Sequence, residues 1–145
     1  MESSREEWLF AAGVAFAAGS AIHVIDHLRR GQGSVSEVLY VVGNVSLVVQ
    51  VATVVLVLTR HRLAPIAAAS GGFSLALGFV VAHWLPRWSP ISDPVWEIKS
   101  VTWFSYLAST AEILGAIALG LAGLAVIRAD TRRLRAADVD ITAAS

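Results

Sequence analysis

The sequence predicts an all-α integral membrane protein, an up-down-up-down four-helix bundle, and three observations carry that expectation. The chain of 145 residues is 56% hydrophobic and only 15% charged, with a mean hydropathy of +0.66, far from the balance of an ordinary soluble domain. It contains four apolar stretches, each of the roughly 20 residues needed to cross hydrocarbon. The connections between them are short and carry glycine, serine or proline, which favours antiparallel neighbours.

The first span is expected at about 8–28. Glu2, Glu6 and Glu7 outnumber Arg5 ahead of it, so the basic flank of a cleavable signal is missing and the run is expected to be retained. Gly31-Gln32-Gly33-Ser34 breaks it with turn-forming residues. The second span is expected at about 35–58, with Ser34 or Ser36 as N-cap. The third, at about 63–85, carries Pro65 in its first turn, where the missing N–H costs nothing. The fourth is expected at 94–127, opened by Asp93 as N-cap and Pro94 at the first helical position. Together these make one domain, residues 1–128, followed by a polar tail at 129–145 that frays into solvent.

Orientation is expected from the basic residues. Arg5, Arg60, Arg62, Arg128, Arg132, Arg133 and Arg135 fall on one side, against Arg29, Arg30, Arg87 and Lys99 on the other. The positive-inside rule then puts both termini in the cytoplasm of a cell-membrane protein. Trp84, Trp88, Trp96 and Trp103 gather around the third loop as an interfacial belt would. That loop, with three prolines, reads as an ordered lid over the outer end or simply as a stiff connection. Small residues at helical spacing mark the faces expected to meet: Gly13, Ala17 and Ser20 on the first span, Gly71, Ser74, Gly78 and Ala82 on the third, and Ser105, Ser109, Glu112 and Ala116 on the fourth.

Several chemistries are excluded or disfavoured at once. With no cysteine there is no disulfide, thiolate metal site or thiol nucleophile. Lys+Arg and Asp+Glu are 11 each, so no basic excess points to nucleic acid. The partner implied by composition is the lipid bilayer, with a small-molecule or lipid ligand and a homo-oligomer both left open.

Ionisable residues inside apolar runs are costly and therefore turn toward protein or water. His23, Asp26 and His27 share one helical face at i, i+3 and i+4, a spacing by which a helix presents nitrogen and oxygen ligands to Zn²⁺ or Fe²⁺. His83 is a further candidate ligand. At about 1.5 Å per residue, His27 and His83 lie within about 3 Å of the outer boundary, His23 at about 9 Å, Asn44 at about 14 Å and Glu112 at about 16 Å. A lone carboxylate at such depth either pairs or stays protonated. Glu112 and His23 are the candidates for general base, and Asn44, Ser105 and Ser109 for lining a ligand cavity. The expected function is thus an outward-opening His/carboxylate site that binds a divalent metal or a small polar or lipidic ligand. Alternatives are a non-catalytic structural or accessory subunit whose polar residues only tie helices together, a bis-histidine haem b protein using His23 or His27 with His83, and a proton or solute pathway. Whether the chain is an enzyme stays open. Gln50 and Thr53 are expected to bond between helices, and His61 to be a solvated loop residue.

The segments His23-Val24-Ile25-Asp26-His27-Leu28-Arg29-Arg30-Gly31, His61-Arg62-Leu63-Ala64-Pro65 and His83-Trp84-Leu85-Pro86-Arg87-Trp88-Ser89 resemble those of a group of small bacterial four-span membrane proteins with an H-x-x-D-H-x-R-R-G segment. The resemblance covers the chain except its tail. It implies the four-span architecture and no activity.

Overall fold

A computed structural model describes residues 2–31, 35–98 and 100–143. Lys99 and the expected turn at Gln32, Gly33 and Ser34 lie outside the described residues. Four helices follow in order: α1 (Glu2–Arg30), α2 (Glu37–Leu58), α3 (Ala64–His83) and α4 (Trp103–Ala143). All four are long and apolar enough to cross a membrane, and the chain is a multi-pass membrane four-helix bundle. Each helix packs mainly on two others, α1 on α2 and α4, and α3 on α2 and α4, which is the ring order of an up-down-up-down bundle.

The helix ends follow local chemistry. Gly31, at φ +83°, turns the chain out of α1 in the left-handed region that glycine enters without penalty, and its N–H donates to the His27 carbonyl at 3.0 Å. Ser36 is the N-cap of α2, its Oγ accepting from the Leu39 N–H at 3.1 Å. Pro65 sits in the first turn of α3. The start of α4 differs from the expectation. Asp93 and Pro94 do not open a helix, because the Asp93 N–H donates to the Ala82 carbonyl (2.7 Å) and the Val95 N–H to the His83 carbonyl (3.0 Å). These bonds strap the third loop onto the end of α3, and the helix begins only at Trp103. At the other end, 128–143 contains neither glycine nor proline, and α4 continues through the expected fraying tail to Ala143.

Packing is uneven around the ring. A Cβ on Gly19 would stand 2.8 Å from the Ala111 carbonyl oxygen, and one on Gly115 would stand 2.9 Å from Phe16 Cα, so the α1 and α4 backbones touch. The α3–α4 seam is as close, with a Gly72 Cβ meeting the Ala116 carbonyl oxygen at 2.6 Å and a Gly123 Cβ meeting the Pro65 carbonyl oxygen at 2.6 Å. Without a hydrophobic force in lipid, such backbone approach supplies the dispersion contacts that hold helices together. The core built on these seams contains Leu9, Ala12 and Phe16 of α1, Ala68 and Leu75 of α3, and Ala116, Leu119 and Ala122 of α4; α2 contributes Val57, with Val54 packed against it.

The third-span stripe is rotated from its expected role. Gly72, with Ala68 and Ala76, meets α4, whereas Gly71 faces Thr53 of α2 and Gly78 faces open space. Both faces of α3 carry small residues, and composition does not distinguish a seam from a void. Helix α2, the least buried span, is pinned near its C-terminus, where Gly13 and Gly71 receive Val57 and Thr53. Toward its N-terminus it stands away from the bundle, and a Cβ on Gly43 would meet nothing within 4 Å.

Gly72→Ala is expected to lower stability by about 1–3 kcal/mol through overpacking. Gly43→Ala should instead be neutral or stabilise by up to about 1 kcal/mol through helix propensity. Thermal unfolding followed by circular dichroism in detergent micelles separates the two, and equal effects would contradict the close α3–α4 seam.

Candidate functional site

A cavity of about 610 Å³ lies among α1, α2 and α3, backed by Glu112 of α4. Its histidines occupy one wall. The ring centroids of His23 lie 4.7 Å from those of His27 and 5.0 Å from those of His83. One ligand nitrogen from each of the three falls within 4.8 Å of the others. His83 reaches the cluster because it is the last residue of α3, fixed there by the strap to Asp93.

Hydrogen-bond partners decide where each ring proton sits. Nδ1 of His83 lies 3.1 Å from the Asp93 carbonyl oxygen; a carbonyl only accepts, so that nitrogen carries the proton and the Nε2 lone pair is available. Nη2 of Arg30 lies 3.1 Å from Nδ1 of His27 and 3.4 Å from its Nε2; donation to the nearer nitrogen leaves the proton of a neutral His27 ring on Nε2. That Nε2–H faces Nε2 of His23 at 2.8 Å, which in turn places the His23 proton on Nδ1. Nδ1 of His23 stands 3.0 Å from Oε2 of Glu112, and neither atom has an aligned hydrogen-bond partner among the described residues. Beneath them the Ser20 hydroxyl lies beside the Glu112 carboxyl and donates to Oε1 of Gln50 across the α1–α2 gap.

Asp26 serves a different purpose from the one its spacing suggested. Its Oδ1 accepts from Arg29 Nη2 at 2.7 Å and from the Ser105 hydroxyl at 2.9 Å, and its Oδ2 accepts from Arg30 Nε at 2.9 Å. With its oxygens so occupied it is a counter-ion, and it is not positioned as a metal ligand. Arg30, only 4% exposed, extends the pair to Asp93, whose Oδ2 is 3.6 Å from its Nη1. Burial pushes the Asp93 carboxyl above the usual carboxylate range, against the pull of His83 and Arg30. The i, i+4 spacing of Asp26 and Arg30 was the available signal for this pair.

The remaining candidates divide. Asn44 lines the cavity as expected, and its Nδ2 donates to the Tyr40 carbonyl at 2.7 Å, while Ser20 is the residue beside Glu112. Ser105 binds Asp26, and the Ser109 hydroxyl donates to the Tyr106 carbonyl at 3.3 Å; neither lines the cavity. The ring pairs of the bis-histidine alternative, His23–His83 and His27–His83, have centroids 5.0 and 6.0 Å apart. The third loop is hydrogen-bonded within itself and to the start of α2: Ser92 Oγ accepts from the Trp88 and Ser89 N–H groups, Ser36 Oγ donates to the Pro90 carbonyl, and Ile91 lines the cavity.

Asp26→Asn is expected to destabilise the protein by about 3 kcal/mol, the low end for a broken buried pair because Asp93 remains beside Arg30. Glu97→Gln, which removes the exposed partner of Arg87, should cost less than about 1 kcal/mol. Unfolding titrations in mixed micelles measure both, and similar losses would contradict a structural role for the buried pair. Comparison of the chain with protein-family models, with curated proteins and with solved structures finds no match.

Proposed function

We propose that this multi-pass membrane protein binds a divalent transition metal, zinc or ferrous iron, at the wall of its cavity through Nε2 of His23 and His83, with His27 as third ligand. The observation that carries this reading is the convergence of three imidazoles from two helices within 4.8 Å. Nδ1 of His83 is already held by an oxygen acceptor, the Asp93 carbonyl, and Nδ1 of His23 stands 3.0 Å from Oε2 of Glu112. Metal-bound histidines characteristically have their other ring nitrogen tied in this way, which fixes the tautomer and raises ligand basicity. Imidazole donors with a neighbouring carboxylate suit zinc and iron.

His27 makes the binding conditional. Its Nε2 proton occupies the space between itself and His23, so a metal takes the place of that proton and binding releases it. Arg30 then turns from His27 toward Asp93. A coordination position facing the cavity would supply a Lewis acid able to activate water or polarise a carbonyl. The role of Glu112 is to orient His23. The basic residues near the termini support an orientation with both termini in the cytoplasm and the site toward the outer face of the cell membrane.

A metal-free alternative, in which these side chains only tie helices together, is favoured by the Arg30–His27 contact, since that contact completes a hydrogen-bonded chain without any cation. Metal analysis after dialysis against Zn²⁺, with calorimetry in buffers of different ionisation enthalpy, separates the two. The expected result is about one metal per chain, proton release on binding, affinity that rises with pH, and loss of the metal in His23→Ala and His83→Ala but not in His61→Ala. Metal content unchanged by the first two variants, or absent from the wild type, refutes the metal reading.

A further inference from the structure

We infer that the cavity receives a single-chain lipid bearing an uncharged or anionic oxygen head group, a fatty acid or fatty alcohol, drawn from the bilayer with its head against His23, His27, His83 and Glu112. The inference stands on the cavity and its polar wall, and it holds whether or not a metal is bound.

Volume and lining come first. About 610 Å³ falls inside the roughly 300–1,000 Å³ of small-molecule sites. The long walls are apolar, with Leu39, Val42 and Leu47 from α2 facing Leu75, Phe79 and Val81 from α3. The titratable groups lie together on one side, so the space is amphipathic. Two positions hold it open: a Cβ on Gly43 or on Gly78 would meet nothing within 4 Å, although alanine at either would gain helix propensity.

The polar wall identifies the head group. His23, His27, His83 and Glu112 line one side of the cavity, and with Nδ1 of His83 on the Asp93 carbonyl its Nε2 lone pair is left to accept a hydrogen bond. A hydroxyl or carboxyl head group supplies both a donor for that lone pair and an acceptor. A quaternary ammonium provides neither, and the cavity offers it only Tyr40 and Phe79 in place of an aromatic cage.

Access identifies the source. The wall formed by α2 belongs to the least buried span, and the lining residues Tyr40, Gly43 and Asn44 are exposed. The end near the loops is roofed by Ile91, and Ser36 ties the roof to α2. Entry is therefore sideways, past α2 from the lipid, which suits a molecule already dissolved in the bilayer.

The test uses the full chain in nanodiscs of a saturated phosphatidylcholine, so that detergent does not fill the space, titrated with a fluorescent polyene fatty acid. Saturable binding is expected, competed by a long-chain alcohol and not by an alkyltrimethylammonium of equal chain length. Gly43→Leu and Gly78→Leu should each weaken it roughly tenfold or more while leaving helicity and metal content at wild-type values. Non-saturable uptake, equal competition by the ammonium compound, or binding indifferent to both leucines overturns the inference; the competition result decides it even if a leucine variant fails to fold. Metal content measured in the same discs keeps the two readings apart: fatty-acid binding without metal removes only the metal, and metal without fatty-acid binding removes only the lipid.

Discussion

Contact between helix backbones along α4 is the constraint on which the rest of this structure depends. In hydrocarbon, apolar side chains gain little by leaving lipid for protein, so helices adhere where small residues let their main chains approach. Gly19 and Gly115 do this for α1, and Gly72 and Gly123 for α3. With α1, α3 and α4 drawn together, α2 has little seam left to occupy. It is held by Val57 and Thr53 at one end and by the Ser36–Pro90 bond at the other, and the space between these attachments is the cavity.

Charge is handled at the end of the bundle opposite the termini, where α1 ends, α3 ends and the third loop crosses. Arg30 stands between Asp26 and Asp93, and removing either acid leaves a guanidinium short of compensation where water is scarce. The same arginine reaches His27. A structural pair thereby biases the tautomer of one imidazole in the site, and through it that of the next. Scaffold and site share atoms here.

Much of the architecture was legible because its signals are local and repetitive. Four apolar runs, Ser36 before α2 and Pro65 within α3 act over a few residues and survive in the folded chain. Glu112, His23 and His83 were legible for a related reason: an ionisable group in an apolar run must turn inward, so three such groups on different helices had a reason to meet. The roles that eluded the sequence depend on competition between partners. Asp26 has metal-ligand spacing from His23, yet two arginines and Ser105 claim its oxygens. Asn44 is at suitable depth, yet it bonds within its own helix. Asp93-Pro94 has the composition of a helix start, yet its backbone is engaged by α3. The cavity itself had no local signal, since it arises from how far one helix leans from three others.

The length of α4 has a mechanical corollary. Its apolar portion ends near Ile127, and from Arg128 to Ala143 the helix runs on, adding about 24 Å at about 1.5 Å per residue. That is most of the thickness of the hydrocarbon slab again, carried as a charged rod whose side chains are largely exposed as far as Val139. A tilt of α4 within the lipid is therefore magnified at the rod's far end. A probe attached there would sweep an arc several times wider than the displacement at Glu112, like the needle of a gauge.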